Sequence, residues 1–310
     1  MSNIFGNGLH KQFACATLLK PLIPEPQPKY DAEKVNTMHS HTTYDDLDWQ
    51  QLWANARAKK SWTAKGPADW DKKAASFARR NHDSRFVDLV LEHIPVDSSS
   101  TILDAGSGPG TLSLPLAARA KAVTAIDYSK GMLELLESEA EKRGRDNITT
   151  ILGSWEDDWE KLQVGRHDIC IASRSLSVPD LGAAIAKLDA HATRYVFIVD
   201  RINPTPFDNG AFIALNRPFR SGPDYIYTIN TLYSMDIHPS VDIISLDRTV
   251  SYPTMEEALD SYRWMFKDLT AEEEEKLVQY IMDNGHEEDG EITIRRSYPA
   301  RWALIWWKKG

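Results

Sequence analysis

The chemistry-bearing stretch of this chain is TILDAGSGPGT at 101–111, an apolar strand running into a glycine-rich turn. Gly106, Gly108 and Gly110 permit positive φ and let a ligand lie against bare backbone. A helix starting just after them would offer unpaired N–H groups to a polar or anionic ligand. A dinucleotide fingerprint reads G-x-G-x-x-G. Here the third position after Gly108 is Thr111 and the third glycine comes one residue early, which argues against NAD. Cys15 and Cys170 are too few and too isolated for a disulfide framework or a CxxC metal or redox site, so no metal site is expected. Cys170, in mid-strand, reads as a buried apolar filler rather than a thiol nucleophile.

Such a turn needs a strand before it and a helix after it. Strands read at 101–104, 122–127, 148–152, 168–172 and 195–199 alternate with helices near 111–119, 131–143 and 181–190, the rhythm of a parallel sheet with crossover helices. Upstream, residues 1–40 carry Pro21, Pro24, Pro26 and Pro28 and read as an extended arm. Residues 41–83 read as a helical cap, because Trp49, Leu52, Trp53 and Ala56, then Trp70, Ala74, Phe77 and Ala78, recur at helical spacing. A third stripe, Phe86, Leu89, Val90 and His93, opens a core spanning 84–202.

Downstream, 203–254 reads as an insertion with a proline-rich loop at 203–207, a helix at 225–235 and a sixth strand at 242–250. In the last region, 255–310, the capping boxes Thr254 with Glu257 and Thr270 with Glu273 predict two helices between 255 and 284. Ile292 and Ile294 then alternate, and the apolar run 302–307 reads as a buried last strand.

The 310 residues are 42% hydrophobic, which excludes global disorder and allows a substantial core. A net charge of -9 repels phosphate backbones on average, so a nucleic-acid partner is disfavoured. The first twenty residues make a poor secretory h-region, and no apolar stretch reaches the length of a membrane span. A soluble, cytoplasmic protein is the expectation.

The run DAGSGPG at 104–110 resembles motif I of class I S-adenosylmethionine-dependent methyltransferases, and IDYSKGML at 126–133 is similar to their second motif. The resemblance covers 84–202. It implies an α/β, doubly wound, seven-stranded and mostly parallel sheet with an antiparallel last strand, to which this chain adds the cap and the insertion after the fifth strand. It also implies S-adenosyl-L-methionine as cofactor and S-adenosyl-L-homocysteine as product. By that analogy Asp104 lies near the donor's ammonium, with Ala105, Gly106, Ser107 and Gly108 beneath its methionine portion. Asp127, ending the second strand, accepts the ribose hydroxyls. Adenine lies between Tyr128 or Met132 and the segment Gly153-Ser-Trp-Glu-Asp157, where Ser154 replaces the usual acid beside Trp155. Ser154, Glu156 and Asp157 remain alternative partners of the adenine amine. Ser173, in the ASRSL segment at 172–176, faces the sulfonium and the acceptor.

Methyl transfer from a sulfonium is an in-line displacement that needs no covalent nucleophile. A hydroxyl acceptor would benefit from a general base, for which Asp200, Arg201 and His238 are candidates alongside structural roles. The Asn/Asp-Pro-Pro-aromatic motif of exocyclic-amine methyltransferases is absent after the fourth strand, and so is a Pro-Cys nucleophile. Those absences and the acidic charge favour a small-molecule acceptor. Trp49, Trp53, Trp62 and Trp70 then form either an aromatic pocket over it or the core of the cap. The rival reading, an RNA or protein methyltransferase, rests on Arg57, Lys59, Lys60, Lys65, Lys72, Lys73, Arg79 and Arg80. A non-catalytic module that only binds the donor is the third.

Overall fold

The computed structural model describes residues 43–62, 65–82, 84–288 and 290–310. The chain divides into two units, Met1–Leu47 and Asp48–Gly310. Of the first, the described part is a 3-10 turn, Tyr44–Asp46, closed by the Asp46 carboxylate accepting from the Thr43 amide and hydroxyl at 2.7 and 2.9 Å. The expected arm at 1–40 and Cys15 lie outside the described residues.

The second unit begins with three helices, α1 (Trp49–Ala58), α2 (Pro67–Asn81) and α3 (Arg85–Leu91). Asp48 caps α1 by accepting from the Gln51 amide, and Pro67 opens α2, where its missing N–H costs no hydrogen bond. The alternating region follows as β1 (Thr101–Ala105), α4 (Ser113–Ala117), β2 (Ala122–Asp127), α5 (Lys130–Lys142), β3 (Ile148–Leu152), β4 (His167–Ser173), α6 (Leu181–His191) and β5 (Ala192–Arg201). Beyond it come α7 (Asn209–Ala214), α8 (Tyr225–Ser234), β6 (Ser240–Ser245), β7 (Thr249–Tyr252), α9 (Met255–Arg263), α10 (Ala271–Asn284), β8 (Gly285–Glu288), β9 (Glu291–Arg295) and β10 (Arg301–Lys308).

Seven strands form one sheet in the order β3-β2-β1-β4-β5-β10-β6. All pairs among β1 to β5 are parallel, and β10 runs antiparallel to both β5 and β6. The reversed strand is therefore the last in sequence but sits inside the sheet. Burial on both faces explains the continuous apolar strands. On β4, Cys170 and Ala172 pack with Leu181, Ile185 and Leu188 of α6, while Ile169 and Ile171 pack with Val90 and Leu116 on the other face.

The strand expected at 242–250 is two strands in two sheets. β6 joins the main sheet, whereas β7 joins a small sheet ordered β7-β9-β8. The break falls between Leu246, whose amide still donates to the Ala300 carbonyl at 2.9 Å in continuation of the β6–β10 ladder, and Arg248, whose carbonyl accepts from the Arg296 amide at 2.8 Å beside β9. A third core builds around that small sheet from Phe212, Tyr252, Tyr262, Phe266, Leu277, Ile281 and Ile294, drawing on residues either side of 254. Helix α7, which sequence periodicity did not reveal, enters this core through Ala211 and Phe212. The helix expected near 111–119 is shortened to α4 because the turn continues through Leu112. Among the described residues no helix is long and apolar enough to cross a membrane.

Candidate functional site

Strand β1 delivers Asp104 and the glycine turn to the carboxyl end of the sheet. The turn hangs on β2, since the amides of Gly106 and Ser107 both donate to the Ile126 carbonyl, at 2.7 and 3.1 Å. Gly106 (φ +73°), Gly108 (+55°) and Gly110 (+85°) adopt the left-handed conformations that the sequence implied. Gly106 has a second requirement, because a Cβ there would collide with Ser175 Cβ. Around Gly108 the space beyond the backbone is open, with no atom within 4 Å of where a Cβ would stand.

Two acids frame the turn. Asp104 is 1% exposed and accepts from Ser113 Oγ at 2.6 Å. Burial pushes its carboxyl up to about 6; the Ser113 hydrogen bond opposes this, and the charge of Asp127 adds to it. Asp127 accepts from the amides of Gly108 (2.8 Å) and Ser129 (2.9 Å). Burial raises its carboxyl too, against those two amides. The buried hydroxyls of Thr111 and Ser173 have no hydrogen-bond partner. Unpaired buried hydroxyls beside open backbone are what a polar ligand would satisfy.

On the far side of Asp127, Tyr128 is 38% exposed and its hydroxyl donates to the Lys65 carbonyl at 3.2 Å. Burial pushes that hydroxyl up to about 12. Met132 is buried, and its amide donates to Ser129 Oγ, the cap of α5. In the segment after β3 the Asp157 carboxylate accepts from the amide and hydroxyl of Ser154, at 2.7 and 3.0 Å. Trp155 packs on Trp159 with ring centroids 5.2 Å apart. Glu156 is exposed, and its charge reaches Tyr128. Of the two carboxylates that could meet an adenine amine, Asp157 is thus committed to its own loop and Glu156 is not.

Past Ser173, Arg174 takes φ +60° and its guanidinium enters an aromatic box, 4.4 Å from the Phe86 ring and 5.5 Å from the rings of Phe77 and Trp302. It donates to Asn81 Oδ1 at 3.0 Å, and burial pushes it down to about 10. Ser175 Oγ donates to the Ala105 carbonyl at 2.7 Å, pinning the segment after β4 to the donor turn. At the end of β5, Asp200 accepts from Thr228 Oγ1 at 2.7 Å, and burial raises its carboxyl. Its neighbour Arg201 donates to the Pro223 carbonyl at 2.8 Å; burial lowers it, against the charges of Asp200 and Asp224.

His238 is not brought to this place. It precedes β6, the edge strand four positions from β1, about 19 Å across the sheet. Its side chain is 68% exposed and faces Asp236 (3.5 Å) and the ring of Tyr233. A surface turn, not the sheet end, holds it.

Helices α1 and α2 cover the same carboxyl ends. Asp71 of α2 accepts from Ser129 Oγ (2.6 Å) and the Gly131 amide (2.9 Å), and His82 Nε2 donates to the Pro109 carbonyl at 2.9 Å. Trp53, 2% exposed, donates through Nε1 to the Val178 carbonyl at 2.9 Å and belongs to the main core. Trp62 Nε1 donates to the Ser221 carbonyl at 2.8 Å, with its ring 5.2 Å from Phe207. The Ser61 amide donates to the Arg220 carbonyl, and the Arg220 amide to Ser61 Oγ, both at 2.9 Å. Trp70 packs against Phe77 and Trp264. Sequence reasoning missed Asp71, His82 and Ser175, because each acts through the end of an element distant in the chain.

A profile for a methyltransferase domain matches residues 102–194. An uncharacterized protein of Haemophilus influenzae is 33% identical over 244 residues, 78% of this chain and 89% of that relative. The chain belongs to the class I S-adenosylmethionine-dependent methyltransferases. The magnesium-protoporphyrin O-methyltransferase of Rhodobacter capsulatus is 24% identical over 197 residues, 62% of this methyltransferase and 85% of the relative. A solved structure from Bacillus halodurans, assigned as a methyltransferase, shares the fold with a TM-score of 0.52 at 15% identity, covering 73% of this chain and 99% of that one. The methyltransferase is an enzyme, and S-adenosylmethionine is its methyl donor. The open space at Gly108, the unpaired hydroxyls of Thr111 and Ser173 and the carboxylate of Asp127 fit such a donor.

Proposed function

We infer that this methyltransferase acts on a small-molecule acceptor enclosed between Ser61 and Trp62, just after α1, and the segment after β5. The observation that carries the reading is the closure of Trp62 on Ser221 and of Ser61 on Arg220. It roofs the carboxyl ends of the strands, where open α/β sheets bind their ligands. A roof held by hydrogen bonds at Ser61 and Trp62 admits a compact acceptor more readily than a polymer. Lys73 and Arg79 pair with Asp260 and Glu257, which removes two of the basic residues that favoured RNA.

For the donor, Asp127 accepts the ribose hydroxyls, and Asp104 holds the ammonium. The turn from Ala105 to Gly108 lies beneath the methionine portion. Tyr128 and Met132 flank the adenine, with Ser154 and Trp155 closing its far side and Glu156 accepting from its amine. Ser173 and Thr111 supply hydroxyls toward the donor. When bound, S-adenosylmethionine supplies a methyl group on a sulfonium centre. For a hydroxyl acceptor, Asp200 is the base: its carboxyl is fixed by Thr228 and raised by burial, so it can take up the departing proton. Arg201 keeps the proton-free form of Asp200 in place through charge.

Calorimetry with S-adenosylhomocysteine tests the donor half. Asp127→Ala should weaken binding by roughly 1 to 3 kcal/mol through unpaired ribose hydroxyls. Filter binding of bulk tRNA at low and moderate salt tests the acceptor half. Tight and steeply salt-dependent retention would put RNA in place of a small molecule.

A further inference from the structure

Arg57 on α1, Lys60 just after it and Arg201 at the end of β5 converge beneath the roof described above. Lys60 Nζ stands 4.0 Å from the centroid of the Trp62 ring, and the Arg201 guanidinium carbon stands 5.2 Å from it. Gly222 (φ +83°) lies between the two cations: a Cβ there would be 3.2 Å from Lys60 Cβ and 3.8 Å from Arg201 Nη2. Arg57 reaches the Ser177 carbonyl, in the segment after β4, at 3.5 Å. The cations therefore stand over the ends of β4 and β5.

Their charges are poorly matched. Asp200 and Asp224 offset Arg201, but among the described residues no carboxylate forms an ion pair with Arg57 or Lys60. Lys60 is pushed down to about 8, first by burial and then by Arg57 and Arg201. Two buried polar atoms in the same neighbourhood lack partners, Arg57 Nε and Asn203 Oδ1, and the Asn203 amide nitrogen is within 3.4 Å of the Gly222 carbonyl. Half-buried like charges and an orphaned guanidinium N–H cost folding free energy unless an anion joins them. Guanidinium groups suit oxyanions in particular, because their N–H groups match two oxygens at once.

We propose that Arg57, Lys60 and Arg201 bind an oxyanion, a carboxylate or phosphate, borne by the methyl acceptor, with Trp62 packed against the rest of that molecule. The acceptor is accordingly an acid. This rests on the small-molecule reading and narrows it to a chemical class.

The test uses the full chain saturated with S-adenosylhomocysteine and titrated at fixed ionic strength with inorganic phosphate, benzoate and the neutral isostere benzamide. Benzoate, phosphate or both should bind in the millimolar range, and benzamide should not. Benzoate alone marks a carboxylic acid and phosphate alone a phosphate ester, and either supports the proposal. Lys60→Gln and Arg57→Gln should each weaken the anion at least tenfold, Lys60→Arg should retain it, and all should bind S-adenosylhomocysteine within twofold of the parent. That last measurement reports folding. Equal binding of benzamide and benzoate, or unchanged anion binding in both Gln variants, overturns the proposal. So does loss of tRNA retention in those variants with no response to either anion. If S-adenosylhomocysteine itself fails to bind the parent chain, the donor reading has failed instead.

Discussion

Around the glycine turn most of the contacts that set the geometry join residues close in sequence, with Ser175 on Ala105 and Asp71 on Ser129 added from farther along the chain. Ser113 meets Asp104, Gly108 meets Asp127, and Ser129 meets Asp127. On the acceptor side Trp53 reaches Val178, Trp62 reaches Ser221 and Lys73 reaches Asp260, across 125, 159 and 187 residues. Closing long loops carries more entropy, and such contacts form only when most of the chain is packed. The glycine turn, the donor floor, is therefore set mainly by one strand-turn-helix unit and its neighbouring strand, with Ser175 as a long-range tie, whereas the roof is a property of the whole fold. Perturbing the first should change donor affinity; perturbing the second should change stability and acceptor binding.

The largest effect expected is from Trp53→Ala. Losing a fully buried indole and its bond to Val178 should lower stability by about 3–5 kcal/mol in chemical denaturation. At a temperature where the variant is folded, its affinity for S-adenosylhomocysteine should stay within about threefold of the parent, given the separation of the two regions. A loss as large as that of Asp127→Ala would break the comparison. Gly106→Ala attacks the donor floor directly. Its methyl group would collide with Ser175 at a positive φ, so the turn must shift, with a cost of about 1–3 kcal/mol. Calorimetry should record the loss mainly in donor affinity, and adding Ser175→Gly should recover part of it.

A pH titration sharpens the same contrast. With the Asp104 carboxyl at about 6, donor affinity should rise up to about tenfold between pH 5 and 7 as the carboxylate forms, then level off. Asp104→Asn should flatten that profile. Without ligand the sign reverses. Because the folded carboxyl titrates above its unfolded value, the native state holds the extra proton, and this group's contribution to stability falls as pH rises through about 4 to 6. The smallest effect is expected of Glu156→Gln, a loss of about 0.5–1.5 kcal/mol in donor binding by calorimetry. Unchanged affinity would return the adenine amine to Ser154 or Asp157.

The sequence by itself determined the strands and the glycine turn of the central sheet. Strands 122–127 and 148–152 lie where apolar patterning put them, and the three glycines of 104–110 have the positive φ that their spacing required. Local signals sufficed because a parallel strand buried on both faces is a continuous apolar run, and because few residues other than glycine make such a turn. Thr254 and Thr270 likewise announced α9 and α10 by capping them, although the reciprocal carboxylate contact of a full capping box forms at Thr270 with Glu273 and not at Thr254, where Glu257 pairs with Arg79. Only the tertiary structure decided the rest. Whether Trp53 was core or pocket depended on Val178 and α6 lying beneath it. Whether Glu156 or Asp157 stayed free depended on a turn closing on Ser154. The split of 242–250 into β6 and β7 followed from two different partners, β10 and β9, each too far along the chain to leave a local trace. His238 stands at the edge strand and Arg57, Lys60 and Arg201 under one roof for the same reason: where a side chain ends up relative to distant segments is set by long-range packing, and no local period records it.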